Sequence, residues 1–167
     1  MEEVVNKSIQ VIGFTRNADF QLPVLNTDKE LLQENIILLR VGCQHEEFLN
    51  VLQQVRAEDI MLVDLDRVAL PMLNALGQAY GKTERKDHIY YVSSRKRKLW
   101  LGFVDTVLWR SDRSITDSPV LIGNKSLFMK AYAGNDLDGN LLRAVSYSLQ
   151  KAFVKFGTLE VSVTWKD

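Results

Sequence analysis

The sequence predicts an α/β protein: one domain with a central, mostly parallel sheet flanked by helices, and antiparallel strands added in the C-terminal half. Three observations lead there. Asp59-Ile60-Met61-Leu62-Val63-Asp64-Leu65-Asp66 is an apolar run of strand length closed by two carboxylates, which suits a strand buried on both faces in the middle of a parallel sheet. Strand-like and helix-like segments alternate around it, an order that calls for right-handed crossovers. Finally, residues 158–165 alternate strictly, with Leu159, Val161, Val163 and Trp165 on one side and Thr158, Glu160, Ser162 and Thr164 on the other. That pattern predicts an antiparallel edge strand with one wet face.

In chain order, residues 8–15 are rich in β-branched and aromatic side chains and predict a first strand, followed by a loop that contains Pro23. Asn26-Thr27-Asp28 is suited to cap a short helix through Gln33. Residues 35–42 predict a second buried strand ending at Gly42. In His45 to Arg56, Phe48, Leu49, Val51, Leu52 and Val55 recur at helical spacing. After the central strand, a helix is expected from about Leu70 to Tyr80, because Pro71 is comfortable only in a first turn and Gly81 suits the end. Residues 89–94 predict a fourth strand and 120–122 a short one, with residues 95–124 a candidate insertion. Residues 126–132 read as a strand. The last helix is expected over 138–156, with Leu141, Val145, Leu149, Ala152, Phe153 and Phe156 on one face and Gly157 ending it.

Composition narrows the classes. With 167 residues, 46% hydrophobic and 25% charged, the chain supports one sizeable core and is short for two domains. The acidic start lacks an apolar stretch of signal length, and no run approaches the roughly 20 apolar residues of a membrane span. A lone cysteine, Cys43, and two histidines, His45 and His88, argue against an internal disulfide and against zinc. A cytoplasmic protein without membrane or cofactor is expected. Charge is divided along the chain: residues 1–81 hold 6 basic against 12 acidic side chains, residues 82–167 hold 15 against 9. Such asymmetry orients partners.

Asp64 and Asp66 stand at the carboxyl end of a predicted parallel strand, where open α/β sheets place their ligands. Two acids there can hold Mg²⁺ or accept a phosphoryl group; equally, they can be solvated strand-end residues that cap the next helix. Asp66 is assigned to the second role. The element order, with Asp64 ending the central strand, Ser93 and Ser94 ending the fourth and Lys130 in the segment before the last helix, resembles the receiver domain of two-component response regulators. The resemblance implies a phosphoacceptor at Asp64, a switch hydroxyl at Ser93 or Ser94 and a phosphoryl-contacting lysine at Lys130. The family's acidic pair after the first strand is replaced by Phe14-Thr15-Arg16, Pro71 lies seven residues beyond Asp64, and 158–165 has no counterpart. Without those acids the site lacks its main cation ligands, so a degenerate pseudo-receiver is what the resemblance implies.

Arg95-Lys96-Arg97-Lys98, followed by Trp100, Phe103 and Trp109, interleaves cations with aromatics. It suits phosphate contacts and base stacking, or a charged turn that keeps an exposed edge from aggregating. The function expected is a non-catalytic regulatory or protein-interaction module whose partner is another protein or a second copy of itself. The alternatives are nucleic-acid binding through residues 95–98 and phosphotransfer at Asp64.

Overall fold

The computed structural model describes residues 9–17, 19, 36–39, 45–92, 115, 118–130 and 141–159. They form an α/β domain around a mixed six-stranded sheet. The strands are β1 (Ile9–Phe14), β2 (Ile36–Leu39), β3 (Asp59–Asp64), β4 (His88–Tyr91), β5 (Val120–Asn124) and β6 (Lys155–Thr158). The helices are α1 (His45–Gln54), α2 (Met72–Gly81), α3 (Lys125–Met129) and α4 (Leu141–Lys151). The sheet order is β2-β1-β3-β5-β4-β6. β1 is parallel to β2 and β3, β5 is antiparallel to β3 and β4, and β6 is parallel to β4. Five strands therefore run one way and β5 alone runs against them.

β3 is the centre, as its composition predicts. Ile60, Met61, Leu62 and Val63 are all fully buried, each gaining roughly 1.5–3 kcal/mol from leaving water. Alternation sends them to two cores. Ile60 and Leu62 join Ile12, Phe14, Leu121 and Ile89 beneath α1, α3 and α4, whose Phe48, Leu52, Phe128, Val145 and Leu149 fill that face. Met61 and Val63 join Ile9, Val11, Val120, Ile122 and Tyr90 against Leu73, Leu76 and Tyr80 of α2. The parallel order β2-β1-β3 is that of a doubly wound sheet. No helix among the described residues is long and apolar enough to cross a membrane.

The second half departs from expectation in four places. Residues 126–132, read as a strand, begin with α3. Asn124 caps that helix by accepting the Ser126 N–H at 2.9 Å and the Ser126 hydroxyl at 2.7 Å, and Lys-Ser-Leu-Phe-Met contains no β-branched residue to favour extension. The strand of this region is β5, longer than the 120–122 expected and lodged between β3 and β4 in the sheet. The last helix stops at Lys151 instead of Phe156. Its end is a Schellman turn: Phe153 N–H donates to the Gln150 carbonyl and Val154 N–H to the Leu149 carbonyl, both at 3.1 Å, with Phe153 in the left-handed region at φ 59. The following strand consequently starts at Lys155 and runs parallel, because the crossover from α4 returns the chain to the edge where β4 begins.

Gly157 thus lies inside β6 and does not end the helix. It pairs with Tyr90, and a Cβ there would sit 2.6 Å from the Tyr90 ring. That ring is held by edge contact with Tyr80 and by its hydroxyl donating to the Arg85 carbonyl at 3.0 Å. The segments expected at 26–33, 93–98, 99–109 and 160–165 lie outside the described residues. Gly157→Ala is expected to lower unfolding free energy by about 1–3 kcal/mol, the usual cost of forcing a methyl into a filled site, measured by urea denaturation.

Candidate functional site

β1 and β3 are neighbours, and the chain passes outward from β1 to β2 before crossing back to β3. Their carboxyl ends therefore flank the switch point of the parallel half, the place where a crevice opens in such sheets. Phe14 and Asp64 are in register there. The strand ends are stitched by backbone bonds: Leu65 N–H to the Phe14 carbonyl at 2.8 Å, Thr15 N–H to the Leu39 carbonyl at 3.0 Å, and Asp64 N–H to the Pro119 carbonyl at 2.8 Å. Gly13 makes this possible, since a Cβ would lie 2.5 Å from Leu65 Cδ1, where Leu65 folds back over β1.

The turn after β3 places Asp66 against the loop after β1. The Thr15 hydroxyl donates to Asp66 Oδ1 at 2.6 Å and the Arg16 N–H donates to Asp66 Oδ2 at 2.8 Å. Asp66 N–H in turn donates to Asp64 Oδ1 at 3.0 Å, and Asn17 N–H donates to the Thr15 hydroxyl oxygen at 3.0 Å. Arg67 and Val68 N–H groups donate to the Asp64 carbonyl, tightening the turn. Thr15 is fully buried and Asp64 is 8% exposed, while Arg16 and Asp66 face solvent.

Burial is the chief influence on the Asp64 carboxyl and pushes its pKa up, with the Asp66 charge adding to the rise. The Asp66 N–H, Arg67 and Arg16 act in the opposite direction without cancelling it. A carboxyl so placed is a better proton holder than an ordinary aspartate, and a worse permanent anion.

Of the residues that the receiver resemblance names, Asp64 and Lys130 are among those described. Asp64 is at the carboxyl edge. Lys130 is the exposed C-terminal cap of α3, and α3 follows β5 at the opposite edge, where Lys125 N–H donates to the Glu58 carbonyl. β5 is antiparallel and carries the chain from the Asp64 end of β3 to its Asp59 end, where Asn124 is in register with Asp59 and α3 begins. Ser93, Ser94, Arg95, Lys96, Arg97 and Lys98 lie outside the described residues. Asp66, assigned from sequence to a loop or cap, is the residue that joins the two strand ends. Thr15 is its partner across 51 positions, a pairing that no local pattern encodes. The available signal was three polar residues directly after a buried strand.

A second polar group sits at the amino edge. The Tyr80 hydroxyl donates to Asp59 Oδ1 at 2.9 Å, and Lys86 Nζ lies 4.5 Å from the centre of the Tyr80 ring. Burial, followed by the Asp59 charge, pushes the Tyr80 pKa up, so its proton stays on the hydroxyl. The group ties α2 to β3. Among the described residues no cluster of three or more His, Cys, Asp or Glu side chains is arranged to hold a metal ion. Comparison with family models, curated proteins and solved structures finds no match to this chain.

Two measurements check this geometry. In a double-mutant cycle, Thr15→Val and Asp66→Ala are each expected to cost about 1–3 kcal/mol and to be strongly non-additive, since each removes the same charge-assisted bond; additive losses in urea denaturation would contradict a shared interaction. For Asp64, the raised folded pKa means that its stabilising contribution is full below the ordinary value of 3.8 and is lost as pH rises through the folded value. Asp64→Asn keeps the acceptor for Asp66 N–H and avoids that loss. The variant is expected to be more stable than wild type near neutral pH, with the difference closing as denaturation curves are taken toward pH 3.8.

Proposed function

We propose that the chain is a non-catalytic regulatory or protein-interaction module, receiver-like in the order of its first three strands and carrying a lapsed phosphoacceptor crevice. The observation that supports this is the engagement of Asp66. Both its carboxylate oxygens accept bonds from the chain's own Thr15 and Arg16, and its N–H occupies Asp64 Oδ1. A phosphoacceptor crevice needs a carboxylate that is ionised and open to the donor, with further acids to hold the charge-neutralising cation. Here the first carboxyl is buried with its pKa raised, the second is tied down, and a buried threonine stands after β1. The polar atoms of the crevice bind one another, which gives a rigid rim.

Such a module acts through its surfaces, with another protein, a second copy or a nucleic acid as the partner. A cytoplasmic setting agrees with the single cysteine. The test is to offer a small acyl-phosphate donor with Mg²⁺ and follow the intact mass. No phosphoryl adduct is expected. An adduct that forms on wild type and is absent from Asp64→Asn would replace this reading with phosphoryl acceptance at Asp64.

A further inference from the structure

The solvent face of α4 is a line of three residues. Arg143, Tyr147 and Lys151 are its exposed positions, spaced four apart while their neighbours Leu142, Ala144, Val145, Ser146, Ser148 and Leu149 are buried. That spacing stacks them on one side of the helix over about 12 Å. Past the helix end the chain adds Phe153, which is 91% exposed, and Lys155, whose side chain is 70% exposed and whose Nζ lies 3.7 Å from Asp87 Oδ2 in a solvent-facing ion pair. Cation, ring, cation, ring, cation is the order along the sequence, with no Asp or Glu between residues 141 and 159 and with Asp87 as the acid beside Lys155.

Phe153 is the informative member. It occupies the C′ position of the Schellman turn at φ 59, where glycine is favoured because a Cβ is strained in the left-handed region. The fold gains nothing visible in return, since the ring is almost wholly in water while Val154, next to it, packs into the core. A large ring held out from a strained backbone position between two lysines is suited to stacking on a ligand. From this surface we infer a binding site for single-stranded nucleic acid, in which Tyr147 and Phe153 stack on bases and Arg143, Lys151 and Lys155 contact phosphates.

Single strands fit better than duplex, because rings of this kind need bases that are not already stacked in a helix. A lipid surface fits poorly: the apolar face of α4 is spent on the core, which leaves one phenylalanine and part of one tyrosine for insertion. The site is distinct from the crevice. Lys155 pairs with His88 at the amino end of β4, whereas Asp64 closes the carboxyl end of β3. Its fate is therefore independent of whether Asp64 accepts phosphoryl groups.

The test is fluorescence anisotropy of a labelled twelve-nucleotide oligo-dT, an abasic oligomer of the same length and a matched duplex, each titrated with the full chain over a range of salt. The single strand is expected to bind at low salt with a log–log salt slope of about −2, from three phosphate contacts at roughly 0.7 each. The abasic oligomer is expected to bind about tenfold more weakly. Phe153→Gly is expected to weaken oligo-dT binding about tenfold while melting no lower than wild type, since it relieves the left-handed strain. Lys151→Gln with Lys155→Gln is expected to bring the slope to about −0.7 with melting temperature unchanged. The inference is overturned if oligo-dT does not bind at low salt, if the abasic oligomer or the duplex binds equally well, or if Phe153→Gly binds normally. It is also overturned if Phe153→Gly lowers the melting temperature, which would make the ring a structural element. Binding that survives the α4 changes and vanishes on replacing Arg95, Lys96, Arg97 and Lys98 would move the site to that turn.

Discussion

Burial of β3 on both faces is the constraint from which the rest follows. A strand with no wet face needs a neighbour on each side and a layer above and below, so β1 and β5 take its backbone bonds while α1, α3 and α4 cover Ile60 and Leu62 and α2 covers Met61 and Val63. Its carboxyl end then emerges at the switch point with Asp64 still mostly enclosed. The raised pKa of Asp64 is the electrostatic consequence of that position.

The two edges of the sheet have been used differently. At the carboxyl edge the polar atoms satisfy one another: Thr15, Arg16, Asp64 and Asp66 form a closed set that ties the ends of β1 and β3. Closure of this kind rigidifies, because every group released from water has a fixed partner. At the amino edge, Tyr80 and Asp59 make a similar lock between α2 and β3. Beyond that lock, the chain leaving α4 projects an aromatic ring and two lysines into solvent. The carboxyl end thus carries the bonds that join Thr15, Asp66 and Asp64, and the amino end displays Phe153.

β5 is what separates the two ends in chain terms. By running against its neighbours it carries the chain from the crevice to the amino edge, where Asn124 caps α3 and Lys130 ends it.

Local pattern in the sequence settled β1, β3, α1, α2 and the Leu141, Val145 and Leu149 stripe of α4, because burial on one or both faces imposes a period that composition records directly; it extended that stripe wrongly to Ala152 and Phe153, which lie past the helix end and are exposed. It also located Asp64 at a strand end. Lys-Ser-Leu-Phe-Met misled, since a short apolar segment does not distinguish helix from strand until its cap and neighbours are known. Gly157 misled for a related reason: glycine serves a helix end or a tight strand contact, and the Tyr90 ring decides which. The bond from Thr15 to Asp66, the direction of β5 and β6, and the left-handed Phe153 belong to the tertiary structure alone. Each depends on groups brought together across the chain or on a turn that any of several residues could have closed, so no spacing in the sequence carries them.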